Sequence, residues 1–502
     1  MNSKYSTIEY IENFEKNKET KDYGTLLGQN GVMLGKIEDK FLIDDSSNHI
    51  LLTMPTRSGK GVCCITPTTL KTWKESLFLL DIRDEIYNLT SGARRELFDN
   101  KILRFAPQSK NSCHYNPLAE IRILSKYEEE DIRIISDSIC KVNESGWNRT
   151  FACYSSDFIS AVIYYILYKN FLENPKFVYE NGEKIPFSNA TIAEVIEFIG
   201  ENDETGKYKK AKSLLEQLNK ISLENIIEKF SKDEETKNYV KEKLNNIYKN
   251  DIDLEIIKNG NHPRIAKQFY KNFDLPFFSS ILSWSISNLS IFKNPEVKEN
   301  TSTSDFRMFD LMNHEKPVSF YYVISPADII KLSPITEIFF KQMFDRLAPK
   351  NNNINQSDEK KHKWKMLTIL DEFPAFGKIE GIEEKMKYFK DFGIKMLIVL
   401  QSMNQLFKIY GEKNEFISNC KIQVFGQTYD KDTENYILQL CNKNKPFIKQ
   451  KELERLPNDK LIIKKEGLNP IIVDKFIYFK SEDFYELTKI PLVFSESLYD
   501  KK

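Results

Sequence analysis

At 502 residues, 41% of them hydrophobic and 13% aromatic, the chain holds enough apolar material for a large core and for more than one domain. Lysine plus arginine and aspartate plus glutamate each total 73, which excludes a global basic excess and confines any nucleic-acid contact to local patches. The seven cysteines, an odd number with no CxxC pair and no histidine at zinc spacing, argue against a disulfide framework or a zinc module and read as buried thiols of a reducing cytosol.

Met1 to Tyr23 is polar and charged and lacks the apolar segment of a signal peptide or a membrane anchor. No later stretch offers about 18 consecutive apolar residues, and the most apolar one, around Ser160 to Tyr168, is expected to be too short to span a bilayer, so the chain is expected to be soluble. From Gly35 to Pro107, short apolar runs at 48–53, 76–81 and 101–106 are separated by turns, the pattern of buried parallel strands with helical connections. From about 127 to 300 the texture changes to long charged stretches with helical spacing, as at 211–218 and 240–247. Strand texture returns after Phe306 at 318–324, 366–370, 396–400 and 422–425, and the polar segment 350–363 reads as a surface connection. The expected fold is α/β, a mainly parallel central sheet interrupted by an inserted all-α domain. Its boundaries are an N-terminal segment at 1–34, sheet domain at 35–126 and 305–492, all-α domain at 127–304 and a C-terminal tail at 493–502.

The first chemical motif is Met54-Pro-Thr-Arg-Ser-Gly-Lys-Gly61, which follows an apolar strand and precedes a helix-compatible run. In such a loop backbone N–H groups and the helix N-terminus surround a β-phosphate, glycine permits close approach, and the Lys60 ammonium reaches the β- and γ-oxygens. Two positions depart from the general pattern: Met54 replaces the usual leading glycine, and Gly61 replaces the Ser or Thr whose hydroxyl ligates Mg²⁺. The competing structural reading is a glycine-containing strand-to-helix turn with a solvent-facing lysine. The second motif, Met366-Leu-Thr-Ile-Leu-Asp-Glu-Phe-Pro374, ends an apolar strand in paired carboxylates. Beside a phosphate loop, Asp371 would hold the Mg²⁺ shell and Glu372 would polarise the attacking water; alone, the pair reads equally as acids favouring a helix N-terminus. Gln401, which ends the strand 396–400, is placed to contact a γ-phosphate and report its loss, or to serve as a turn residue.

Together these strings resemble the coupling ATPases of conjugation and type IV secretion, the TraG-like family, along nearly the whole chain. The matching segments are Pro55-Thr-Arg-Ser-Gly-Lys-Gly-Val62, Tyr115-Asn-Pro-Leu-Ala119, Asn300-Thr-Ser-Thr-Ser-Asp-Phe306 and Leu370-Asp-Glu-Phe-Pro-Ala-Phe-Gly377. They continue through Phe392-Gly-Ile-Lys395, Gln401-Ser402, Gln405-Leu406 and Tyr410-Gly411. The resemblance implies a RecA-like P-loop domain that uses ATP and Mg²⁺, with Pro55, Thr56, Arg57, Ser58, Gly59, Lys60, Gly61 and Val62 on the nucleotide, Asp371 on the metal and Glu372 on the water. It explains Gly61, because members often carry glycine after the loop lysine.

The family also implies a ring, commonly hexameric, in which a basic residue of a neighbouring subunit completes the site; here the candidate is Lys390, which lacks the planar fork of an arginine. The family string Asp-Pro-Lys-Gly-Glu stands here as Asp81-Ile-Arg-Asp-Glu85, which leaves its local turn open. The expected partners are relaxase or effector proteins, single- or double-stranded DNA, secretion-channel components and a separate membrane partner. The expected location is the cytoplasmic face of the bacterial inner membrane. Interleaved charges such as Glu228-Lys229 favour protein recognition over DNA reading in the helical insert. Two other functions stay open: a nucleotide-gated cargo adaptor with little hydrolysis, and a cytosolic DNA translocase unrelated to secretion.

Overall fold

The structure is a computed structural model that describes residues 30–38, 40–142, 147–180, 183–200, 223–247, 275–349 and 362–499. The chain divides into two compact units, one of Met1–Ala106, Phe309–Ile330 and Phe344–Lys502, the other of Pro107–Met308 and Lys331–Met343.

The first unit is built on one sheet of 11 strands. Across it run β2 (Lys40–Asp44), β1 (Val32–Ile37), β13 (Ile471–Asp474), β12 (Lys460–Lys465), β11 (Ile422–Phe425) and β3 (Ile50–Thr53), then β10 (Ile394–Leu400), β9 (Met366–Asp371), β4 (Ser76–Asp81), β8 (Val318–Val323) and β5 (Lys101–Phe105). From β11 to β5 neighbours are parallel, whereas β12, β13, β1 and β2 form an antiparallel extension. Every residue of β3, β4, β8, β10 and β11 is buried, which is why these strands read as continuous apolar runs: a parallel sheet is covered on both faces. Helices Glu85–Phe98, Ile382–Phe389, Met403–Tyr410 and Lys431–Cys441 follow β4, β9, β10 and β11. The register aligns the C-terminal ends of the strands along one edge, since Thr53 pairs with both Leu400 and Phe425, Asp371 with Val399, and Leu370 with Leu80. That edge is where α/β sheets hold their ligands.

The second unit contains the block expected to be helical, and the helix expected at 240–247 lies within Glu234–Ile247. Among the described residues it differs from an all-helical block in one hairpin, β6 (Lys176–Glu180) against β7 (Glu183–Phe187). The stretch around 160–168 is not short, which corrects the expectation from the sequence: helix Trp147–Glu173 has 27 residues, and Arg149–Glu173 is long and apolar enough to cross a membrane. Charged residues interrupt the apolar run without ending the helix; Asp157, one of them, is paired with Arg133 of helix Glu128–Cys140. Of the apolar window 72% is buried within the protein. The segments at 211–218 and 350–361 lie outside the described residues.

Six cysteines are buried free thiols and Cys153 is half-buried. Burial pushes the Cys63 and Cys441 thiols up to about 12, which keeps them protonated and inert at neutral pH.

Candidate nucleotide site

Strand β3 delivers the segment 54–59 to the sheet edge, and a helix runs from 60 to 72. Its turns include wide i→i−5 bonds, Thr66 N–H to Gly61 O and Trp73 N–H to Thr68 O, in a stretch that also contains Pro67, which has no N–H to give. The loop turns through two left-handed residues, Arg57 at φ 62° and Gly59 at φ 93°. Ser58 folds back on Pro55, its N–H at 3.2 Å and its hydroxyl at 2.5 Å from the Pro55 carbonyl.

Met54 is fully buried, its N–H bonded to Leu400 O at 3.0 Å, and it is not among the residues with positive φ. The position therefore does not require glycine. The compensating glycine is Gly426 at the end of β11, where a Cβ would stand 3.0 Å from Met54 Cγ. The methionine side chain at 54 fits because position 426, on the adjacent strand, carries no side chain. Gly61 has room for a side chain, since a Cβ would meet only Ile86 Cδ1 at 4.0 Å.

The convergence that the motifs imply is present. Lys60 Nζ lies 3.1 Å from Asp371 Oδ1 and 3.0 Å from Glu372 Oε1, with all three side chains largely buried. Thr56 of the loop donates its hydroxyl to Gln401 Oε1 at 2.8 Å, and Gln401 N–H is held by Gln405 Oε1 at 3.0 Å. Glu372 sits in the left-handed region at φ 53° and its N–H bonds to Val399 O at 3.1 Å, so the chain turns sharply as it leaves β9. Pro55, Arg57 and Val62 belong to the same loop and first helical turn, Arg57 being exposed. Lys390 does not join this cluster. It is exposed in the turn that precedes β10, whereas Gln401 follows β10, and a strand of that length separates its ends by about 20 Å.

The two acids are driven apart electrostatically. Burial raises the Asp371 carboxyl above its usual range despite the Lys60 charge. Burial also acts to raise Glu372, but the hydrogen bond and charge of Lys60 outweigh it and hold that carboxyl below its usual range. Asp371 Oδ1 is buried beside the Lys60 ammonium at 3.1 Å, and as a carboxylate oxygen it has a further lone pair to offer a cation. A hard carboxylate oxygen of this kind fits Mg²⁺. Among the described residues no group of three or more His, Cys, Asp and Glu gathers to cage a metal.

The turn that the sequence left open, 81–85, keeps its glycine-like shape. Asp84 takes φ 61°, the left-handed region that favours glycine, and Arg104 holds its carboxylate in a fork, Nε at 3.0 Å and Nη2 at 2.7 Å. Asp81, beside Asp371 at the sheet edge, accepts the N–H groups of Arg83 at 3.2 Å and Tyr87 at 2.9 Å and so caps helix Glu85–Phe98. Burial pushes Asp81 up to about 6 against those bonds. A carboxyl raised on folding favours the native state while protonated and loses that contribution as pH rises through its folded value. Measured by urea unfolding, wild type should therefore lose on the order of 2 kcal/mol relative to Asp81→Asn between pH 4 and pH 7. A difference independent of pH would refute the shift.

Sequence reasoning missed one contact of this site: Lys475, just past β13, donates to the Ser58 carbonyl at 2.8 Å. A lysine after an apolar run carries no sequence signal that distinguishes it from a surface residue.

The chain matches the family described as type IV secretory system conjugative DNA transfer over residues 5–443. The conjugal transfer protein TraG of Escherichia coli is 29% identical over 408 residues, 78% of this chain and 55% of that protein. Protein VirD4 of Rhizobium rhizogenes is 24% identical over 470 residues, 88% of this chain and 60% of that protein. The chain thus spans little more than half the length of these curated relatives. Among solved structures, the plasmid coupling protein TrwB in complex with ADP and Mg²⁺ aligns with a TM-score of 0.55 and 12% identity over 93% of this chain and 92% of that one, a likeness of fold.

Proposed function

The chain belongs to the type IV secretory system conjugative DNA transfer family, and from that premise we propose that it is a Mg²⁺-dependent P-loop ATPase that couples DNA–protein or protein substrates to a secretion or conjugation channel. The observation that carries the reading is the meeting of one amine with two acids, Lys60 with Asp371 and Glu372, at the C-terminal edge of the sheet. TrwB, which shares the fold, has been solved with ADP and Mg²⁺.

In this reading the backbone N–H groups of 55–62 and the N-terminus of the following helix bind the β-phosphate, and Lys60 turns from its carboxylate partners to the β- and γ-oxygens. Asp371 would hold the Mg²⁺ shell. The ion would neutralise charge on the phosphate oxygens during transfer. Glu372 orients water and accepts its proton. Gln401, joined to Thr56 of the loop, is the group that would register loss of the γ-phosphate.

Lys390 is exposed and far from its own loop, so any role at a phosphate belongs to a neighbouring subunit's site in a ring. Such a ring, working at the cytoplasmic face of the inner membrane with relaxase or effector cargo and channel components, is part of the same proposal. The test is turnover by purified protein. Hydrolysis that rises with protein concentration and with added DNA, and is lost in Lys60→Ala, is the expected result. Nucleotide-dependent cargo capture with flat, negligible hydrolysis would replace the motor by an adaptor.

A further inference from the structure

We infer that Lys475 is a second cation of the phosphate loop, a positioning residue that fixes the loop through Ser58 and whose counter-charge is the bound nucleotide's own phosphate. The inference rests on the nucleotide reading above and concerns a residue outside every motif that supports it.

Lys475 is only 5% exposed. Its ammonium donates to Ser58 O at 2.8 Å and to Asn458 Oδ1 at 3.3 Å, and its own N–H bonds to Asp459 O at 2.7 Å. One side chain therefore ties the phosphate loop to the end of β13 and to the turn that precedes β12. Both named acceptors of the ammonium are neutral. Among the described residues no carboxylate forms an ion pair with it, and the adjacent Asp474 is engaged by Lys460 at 2.9 Å.

Two other buried cations in the same unit show how unusual this is. Lys395 is neutralised by Asp44, a fully buried carboxylate, with the carbonyls of Asp44 and Ser46 at 2.9 and 2.8 Å filling its remaining donors. Arg94 has no carboxylate but gives each of its N–H donors an acceptor: Ser319, Thr69, Trp73, Glu75 and Asn100. Lys475 has neither remedy, with two acceptors for three donors. Burial lowers its pKa against the opposing influence of Cys63 and the Asp459 carboxylate. A buried charge with no direct ion-pair partner costs stability and is tolerated where a ligand completes it. The ligand that enters beside Ser58 is polyanionic. Its arrival supplies the missing charge, and nucleotide binding becomes coupled to the antiparallel extension β12–β13.

The experiment compares wild type, Lys475→Met, Lys475→Arg and Lys60→Ala by titration with a fluorescent ATP analogue in Mg²⁺ and by thermal unfolding without nucleotide. Lys475→Met should weaken nucleotide binding about tenfold or more, the worth of a charge-assisted contact. Its nucleotide-free Tm should be unchanged or higher, because a thioether replaces an uncompensated ammonium. Lys475→Arg should restore most of the affinity. A Lys475→Met protein that binds like wild type, while Lys60→Ala does not, overturns this inference and leaves the site reading intact. A Tm that falls together with affinity, unrescued by arginine, also overturns it in favour of a purely structural clamp. Wild-type protein that binds no nucleotide brings down the site reading and this inference with it.

Discussion

Glu372→Gln is expected to lower ATP turnover by about two to four orders of magnitude while Mg²⁺–ATP still binds. Glutamine preserves the shape and one acceptor oxygen but cannot take a proton from water. The wild-type carboxyl is held below its usual range while Lys60 is paired with it, so it is ionised in the neutral range before phosphate draws the ammonium away. Without nucleotide, Lys60 is shared between two acids at 3.1 and 3.0 Å. Removing one of these charges frees the ammonium for phosphate, so affinity should be equal or higher, unlike the loss expected on deleting Lys60 itself. Single-turnover hydrolysis and analogue titration on the same preparation separate the two effects. Turnover within about tenfold of wild type would exclude Glu372 as the base.

Much of this site was legible because the parallel sheet is buried on both faces. Strands such as 76–81 and 394–400 announce themselves as unbroken apolar runs, and the motif residues sit at their ends, where topology gathers them. What escaped depends on side chains meeting across long separations. Met54 departs from the loop pattern, and the glycine that makes room for it, Gly426, lies far along the chain with no local pattern to link the two. Lys475 and Arg94 carry no local signal of their burial, since periodicity says nothing about whether a long side chain turns inward to find acceptors. In the second unit, the helix Trp147–Glu173 was cut short because its apolar run is broken, although a helix continues through a charge that finds a partner, as Asp157 does in Arg133. The hairpin β6–β7 was hidden among helical spacing, yet Asn181-Gly182 between its strands is the dipeptide that favours a two-residue hairpin turn.

Arg94→Ala is expected to destabilise the protein by about 3–5 kcal/mol, a large share of the stability of an ordinary domain. Arg94 lies in helix Glu85–Phe98 and is fully buried. Its guanidinium is pushed down to about 10 by burial and so remains charged at neutral pH. It reaches Ser319 Oγ at 2.8 Å, Glu75 O and Asn100 Oδ1 at 2.6 Å, Thr69 O at 3.4 Å, and Trp73 O. Thr69 and Trp73 lie at the end of the helix that begins at Lys60, where carbonyls lack intrahelical partners and the helix dipole favours a positive charge. The arginine thus fixes the far end of the phosphate-loop helix to β8 through Ser319. Alanine would leave several buried acceptors unsatisfied at about 1–3 kcal/mol each, only partly additive, and open a cavity. Because the contacts sit at the opposite end of the helix from Lys60, the fraction that still folds should bind nucleotide nearly as wild type does. A urea-unfolding midpoint within about 1 kcal/mol of wild type would show that water replaces the guanidinium at these carbonyls and that the helix is held by its packing alone.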